Sequence, residues 1–134
     1  MTISLKFTHI TVNDVDEAIG FYGDGLGLVV QNDVKSGEHR WVTLGSDAQP
    51  GLGIVLSDPH AGRSQADGDV MSELLAKGVL PMLVFASDDV DATFEKVQAS
   101  GAEVLQEPTD QGWGPRDCAF RDPAGNTVRI SQTS

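Results

Sequence analysis

Cysteine is almost absent from this sequence, since Cys118 is the only one. An internal disulfide is therefore excluded, and a reducing, cytoplasmic location is the simpler expectation. Residues 1–12 alternate polar and apolar side chains and lack the basic region and continuous apolar run of an export signal. No later stretch approaches the roughly 20 apolar residues that span a bilayer, so we expect no membrane partner.

Basic residues are also scarce: nine Lys and Arg stand against 20 Asp and Glu, a formal net charge of −11. Such a charge repels phosphate backbones, so we expect no nucleic-acid partner. The length of 134 residues and the 40% hydrophobic content suffice for one core. We therefore predict a single domain over residues 1–134.

The first half reads as a strand, a helix and three more strands. Lys6 to Val12 alternates as a strand does, and the following NDVDEAIGFYGDGLG has the apolar spacing of an amphipathic helix. Glycine-bearing turns then separate three extended runs, Leu28 to Asn32, His39 to Leu44 and Leu52 to Leu56.

The same order of elements returns in the second half. Val79 to Ala86 is a strand-length apolar run, and DDVDATFEKVQASG predicts a helix. Three strands are expected after it, near Glu103 to Leu105, Asp117 to Arg121 and Thr127 to Ser131. The triplet Asp14-Val15-Asp16 recurs 75 positions later as Asp89-Val90-Asp91, which favours a duplication.

We therefore predict an α+β fold of two βαβββ modules that form curved mixed sheets. Module one is residues 1–57, the linker is 58–78 and module two is 79–134. Val70 to Lys77 in the linker predicts a short helix that starts near Asp67 or Asp69. The linker's role as connection, lid or dimer contact stays open.

The first, third and eighth strands each have one apolar face and one mixed face. We expect the apolar face of these strands to pack against the helices. Its residues are Ile10, Val12, Val42, Leu44, Val128 and Ile130. The opposite parity mixes aromatic and polar side chains, as a ligand cavity does. Its members are Phe7, His9, Thr11, His39, Trp41, Thr43, Thr127, Arg129 and Ser131.

The segments KFTHITVNDVDEAIGFYGDGLGL, ASDDVDATFEKVQASGAEVLQEP and FRDPAGNTVRISQ resemble the glyoxalase/bleomycin-resistance/dioxygenase (vicinal oxygen chelate) superfamily along almost the whole chain. The resemblance implies paired βαβββ modules with helices on the convex side and the ligand on the concave side. Many members dimerise. The superfamily includes glyoxalase I, extradiol dioxygenases and proteins that sequester antibiotics.

Metal-dependent members take ligands from the first and last strands of each module. The motif-aligned positions here hold Phe7, Gly53 or Val55, Met82 and Arg129, none of which is a suitable ligand. A shift of register would supply His9 alone, and Arg129 would repel a cation. We therefore predict no metal and no cofactor.

Arg129 is the leading candidate for ligand binding. Its guanidinium can anchor a planar anion, or it can form an internal salt bridge with Asp117 on the neighbouring strand. His9 can act as a general acid or base, or simply donate a hydrogen bond to a neighbour. The sequence leaves both alternatives open.

The other candidate ligand contacts are aromatic or apolar. Trp41 and Trp113 can stack on a planar ligand, Trp113 from a loop, although core packing or a dimer contact explains a tryptophan equally well. Phe7 and Met82 would form the floor of the pocket, and His39 shares the face of Trp41. Cys118 is expected to be a buried thiol rather than a nucleophile.

The leading hypothesis is a metal-independent binding protein that holds an aromatic or anionic metabolite or antibiotic between the modules, as a homodimer. The competing hypothesis is a lyase, isomerase or dioxygenase with an atypical metal site that includes His9, which would be catalytic. A protein-interaction module is the third.

Overall fold

The computed structural model describes residues 1–133 and consists of two four-stranded sheets with helices between them. Module one contains β1 (Phe7–Thr11), α1 (Val15–Ile19), a π-helical segment (Gly20–Gly25), β2 (Val29–Ser36), β3 (His39–Gly45) and β4 (Gly53–Ser57). The linker holds α2 (Gln65–Lys77). Module two contains β5 (Leu83–Ser87), α3 (Val90–Ala99), β6 (Glu103–Asp110), β7 (Arg116–Arg121) and β8 (Thr127–Gln132).

The two sheets have the same topology. Their strand orders are β1-β4-β3-β2 and β5-β8-β7-β6, with a parallel first pair and antiparallel pairs after it. This mixed arrangement confirms the predicted α+β fold of two βαβββ modules.

Each module's helix starts at an aspartate of the repeated triplet. The Asp14 carboxylate accepts a hydrogen bond from the Glu17 amide at 3.1 Å, and the Asp89 carboxylate accepts one from the Ala92 amide at 3.0 Å. Each aspartate thus satisfies a backbone N–H that the first helical turn leaves unpaired. The valine that follows turns inward: Val90 is fully buried and Val15 packs against the core.

The first helix differs from the prediction, because after Ile19 the chain widens into the π-helical segment. Widening lets two consecutive aromatic residues, Phe21 and Tyr22, both enter the core, where their rings meet edge to face at 4.8 Å. The Tyr22 hydroxyl then donates to the Asp122 carboxylate of module two at 2.7 Å. Burial and that carboxylate raise the pKa of Tyr22, which keeps the hydroxyl protonated as the donor.

One hydrophobic core joins the modules. It includes all six residues of the predicted apolar parity, Ile10, Val12, Val42, Leu44, Val128 and Ile130. It also includes residues of the two module helices, with Phe94 of α3 stacked on Phe120 of β7 at 5.3 Å. The inner faces of both sheets therefore point toward each other, with the helices between them.

Several element boundaries differ from the sequence prediction. β2 and β6 are each longer than predicted, because their pairing with the long neighbouring strands continues, past bulges, to Ser36 and Asp110. Helix α2 starts at Gln65, before either predicted aspartate, since the Ser64 hydroxyl caps it by accepting from the Asp67 amide at 3.1 Å. Among the residues described, no helix is long and apolar enough to cross a membrane.

Candidate functional site

The outer face of the first sheet is the side turned away from the core, and it carries Phe7 and His9. Strand register places His9 beside Val55 of β4, which lies beside Thr43 of β3. Phe7 lies beside Gly53, and a side chain at Gly53 would begin 3.3 Å from Cδ1 of Phe7 and 2.9 Å from Cγ2 of Thr43. The Phe7 ring thus covers a glycine, yet 45% of the residue is exposed.

His39 and Trp41 lie on the same outer face, at the start of β3. Their rings approach edge to face with centroids 6.2 Å apart. The Nδ1 atom of His39 lies 2.8 Å from the Asp58 carboxylate. Burial raises the pKa of Asp58, but hydrogen bonds from His39 and from the His60 amide outweigh this and lower it overall. His39 also borders a cleft of about 550 Å³ with His60 and Arg63.

The outer face of the second sheet is organised around Arg129 and Asp117. The Nη1 atom of Arg129 donates to the Asp117 carboxylate and to Oε1 of Gln106, both at 3.0 Å. This ion pair confirms the salt-bridge interpretation of Arg129. Asp117 also accepts from Nε2 of Gln106 at 2.8 Å and Nε2 of Gln111 at 2.9 Å.

Asp117 is an ionised carboxylate held out of water. Only 2% of its side chain is exposed. Burial raises the pKa of this carboxyl, but hydrogen bonds from Gln111, Gln106 and Arg129 outweigh burial, so the pKa lies below its ordinary value. Arg129, by contrast, keeps 30% of its side chain exposed.

Met82 and Trp113 lie outside the strands of the second sheet. Met82 directly precedes β5 and is 55% exposed. Trp113 lies between β6 and β7, in the predicted loop, and is 78% exposed. Neither tryptophan belongs to the core.

One chain does not bring the candidate residues together. Phe7, His9, His39 and Trp41 lie on the outer face of the first sheet, whereas Met82 and Arg129 belong to the second. The shared core separates these two faces. A cleft of about 780 Å³ does lie between the modules, bordered by Phe21, Asp24 and Arg121, but it contains none of the candidates.

Sequence reasoning left three neighbours of Arg129 out of the candidate set. Val84 lies beside it on β5, and Gln106 and Gln111 complete the Asp117 network. The exact β5–β8 register would have identified Val84. Gln106 carried no signal, because β6 contains bulges near it that break the alternation. Gln111 carried none because it follows the end of β6, where strand alternation no longer applies.

The donor set does not fit a divalent cation. Phe7 and Arg129 occupy two of the motif-aligned positions, the space above Gly53 is filled by the Phe7 ring, and Met82 offers only a thioether. Within residues 1–133, no three His, Cys, Asp or Glu side chains are grouped to hold a metal.

Cys118 is buried in the core, as expected from its strand parity. Burial raises the pKa of its thiol to about 11. The thiolate needed for nucleophilic attack is therefore scarce at neutral pH.

Known proteins with similar sequences cover nearly the whole chain. An uncharacterised protein of Bacillus subtilis, YurT, is 32% identical over 131 residues, which are 97% of this chain and 99% of YurT. A probable lactoylglutathione lyase of Synechocystis is 28% identical over 97% of this chain and 95% of its own length.

Solved structures of other proteins have a similar fold. UcmS2 superposes with a TM-score of 0.88 at 30% identity, covering 99% of this chain and 100% of its own. TnmS3, described as an antibiotic binding protein from Streptomyces sp. CB03234, superposes with a TM-score of 0.76 at 27% identity, covering 100% and 99%.

The family model that matches is that of the Glyoxalase/Bleomycin resistance protein/Dioxygenase superfamily, and it spans residues 4–130. The fold, the two module repeats and these similarities agree, and the chain belongs to this superfamily.

Proposed function

We propose that this chain is a metal-independent small-molecule-binding protein that sequesters an aromatic or anionic metabolite or antibiotic. The observation that carries the proposal is the partly exposed guanidinium of Arg129, which lies beside the apolar side chain of Val84 on the outer face of the second sheet. Within the described residues both hydrogen bonds of Arg129 leave from Nη1, so its Nη2 and Nε groups retain donor capacity. Met82 and Val84 beside it are 55% and 61% exposed.

The outer face of the first sheet would supply the aromatic contacts. Phe7 and Trp41 offer ring surfaces, and His9 and His39 offer polar atoms within the same sheet. Apolar surface with a few placed hydrogen-bonding groups is the usual composition of a small-molecule site. That TnmS3 is described as an antibiotic binding protein supports this class of ligand.

A second copy of the chain is proposed to bring the two outer faces together. The strands at the outer ends of the sheets are unsuited to further pairing: β2 and β6 contain bulges, charged residues and, in β6, Pro108. The opposite edges, β1 (FTHIT) and β5 (LVFAS), contain no charged residue, proline or bulge. Uncovered edges of this kind favour pairing with another strand.

A two-fold dimer would pair the edge strands β1 and β5 at the same time. Two-fold interfaces are reciprocal, so β1 of each copy would lie beside β5 of the other. Phe7 and His9 of one copy would then face Met82, Val84 and Arg129 of the second. Each dimer would hold two equivalent sites, and every site would contain the candidate residues that one chain keeps apart.

The ligand proposal is tested by titrating a panel of aromatic metabolites and antibiotics. Trp41 and Trp113 are the only tryptophans, so binding beside them should change the intrinsic fluorescence. Calorimetry should give a saturable affinity that Arg129→Ala weakens by about tenfold, since a charge-assisted hydrogen bond is lost. If no compound saturates the protein or raises its melting temperature, a protein-interaction module becomes the better account.

The competing function is a lyase, isomerase or dioxygenase with an atypical metal site. It is favoured by the similarity to the probable lactoylglutathione lyase of Synechocystis, and His9 would serve as its acid or base. Elemental analysis of the purified protein decides between the two. Stoichiometric transition metal, with an activity that chelation abolishes, would overturn the binding proposal.

The cytoplasmic location is also part of the proposal. It is supported by the single cysteine, whose buried thiol has no disulfide partner within the chain.

A further inference from the structure

The positive charge of Arg129 is already compensated inside the protein. Asp117 lies 3.0 Å from Nη1 of Arg129, and hydrogen bonds from two glutamines keep this carboxylate in place. Because the pair is only partly exposed, water screens it weakly. A ligand that approaches Arg129 therefore meets hydrogen-bond donors without a net positive charge.

The other arginines of the second sheet are compensated in the same way. Arg116 pairs with Asp91 at 2.9 Å and with Asp110 at 3.3 Å, and Arg121 pairs with Glu103 at 3.3 Å. The whole chain has a formal net charge of −11 and therefore repels anions. No local excess of positive charge on the second sheet offsets this repulsion.

We propose that Asp117 determines ligand specificity by restricting the site at Arg129 to uncharged aromatic molecules that carry a hydrogen-bond acceptor, such as a carbonyl oxygen. This inference rests on the proposed binding function and selects between its two ligand classes. The carbonyl oxygen of a neutral ligand accepts a hydrogen bond from Nη2 or Nε of Arg129. The aromatic rings of the same ligand cover Val84 and Met82. A carboxylate in the same place would also lie close to the Asp117 carboxylate, and like charges repel.

The test compares two probes of the same shape, naphthalene-2-carboxamide and naphthalene-2-carboxylate, by calorimetry at neutral pH. Sodium chloride at about 0.5 M screens the distant charges of the protein and leaves the local pair. We expect the carboxamide to bind at least about tenfold more tightly than the carboxylate. Equal or tighter binding of the carboxylate would overturn the inference while supporting a binding site.

A pH series on the His9→Gln variant, which lacks the imidazole that the proposed dimer places opposite Arg129, provides a second measurement. The carboxylic acid probe has a pKa of about 4, so its neutral fraction grows about tenfold for each unit between roughly pH 7 and 5.5. If the site takes only the neutral form, the apparent affinity for this probe rises in the same proportion. An affinity that stays constant or falls over this range would contradict the inference. Asp117 stays ionised throughout, because its pKa is lowered.

Asp117→Asn tests the residue itself, because the amide keeps the shape and removes the charge. We expect the affinity for the carboxylate to rise by about tenfold and that for the carboxamide to change by less than about threefold. Unchanged carboxylate affinity in a folded variant would refute the role of Asp117. Should the variant not fold, the pH series decides. If neither probe binds the unmodified protein, the aromatic site at Arg129 is refuted, whereas the proposed function depends on the wider ligand panel.

Discussion

At the scale of single residues, Asp117 holds together one end of the second sheet. Its two oxygens accept from Arg129, Gln106 and Gln111, and the Gln106 amide also reaches the Asp117 carbonyl. Removal of the carboxylate would leave three donors without their acceptor. The same residue therefore has a structural role beside its proposed role in specificity.

We expect Asp117→Ala to lower the free energy of unfolding by about 3 kcal/mol, the order found when one partner of a buried ion pair is removed. Urea denaturation measures the change. Asp110→Ala is the matched control, since Asp110 is 84% exposed and pairs with Arg116 on the same strand pair. A similar loss in both variants would show that the burial of Asp117 contributes nothing.

The stabilising effect of Asp117 should depend on pH in one direction. Because its pKa is lower in the folded protein, the carboxylate stabilises the fold above the ordinary aspartate range, near pH 4, and loses this effect as the pH falls through the lowered value. The difference in unfolding free energy between the unmodified protein and Asp117→Asn should therefore shrink in acid. A difference that grows below pH 4 would contradict the assignment.

At the scale of elements, the repeated triplet is explained by helix capping. Asp14 and Asp89 each accept a hydrogen bond from the amide three residues further on, and the valines after them enter or border the core. The third residue of each triplet adds negative charge in the first helical turn, where the helix dipole favours it. The repeat thus marks two equivalent helix starts.

We expect Asp14→Ala and Asp89→Ala each to cost about 1 kcal/mol of unfolding free energy, the usual value of an N-cap. Asp88→Ala is the matched control, because Asp88 is exposed, adjacent to Asp89 and not part of the cap. Thermal or urea unfolding compares the three variants. An Asp88 variant as unstable as the Asp89 variant would mean that charge, and not the cap, is responsible.

At the scale of the whole molecule, the arrangement of the two sheets decides what can be bound. Both inner faces pack into one core, so the candidate residues remain accessible to a ligand only from the outer faces. These faces expose Phe7, Met82 and Val84 to solvent in a single chain. A dimer that covers them would reduce this exposure and create the enclosed site that one chain lacks.

We expect light scattering to give twice the 14.2 kDa mass of one chain. Val84→Lys should shift the protein toward the monomer and abolish ligand binding, because it places a charge at the proposed junction of β5 with the second copy. Val70→Lys is the matched control, since Val70 is 53% exposed and belongs to α2 and not to either sheet. A monomeric native protein, or equal effects of both variants, would refute the dimer.

The sequence by itself determined the two modules, the core-facing side of β1, β3 and β8 and the burial of Cys118. These features follow from local periodicity and capping, which neighbouring residues specify without reference to the rest of the chain. From the motif alignment, the sequence also predicted, without the structure, that Phe7 and Arg129 replace metal ligands.

Only the tertiary structure decided how the candidate residues are distributed and how Arg129 is paired. Two sheets can face each other through their helices or across a cavity, and the packing of distant elements decides between these arrangements. The local sequence around Phe7 and Arg129 does not indicate which arrangement forms. The bulges in β6 that bring Gln106 to Asp117 depend likewise on a neighbouring strand. Register and packing are properties of pairs of elements, and for this reason the sequence of each element alone did not specify them.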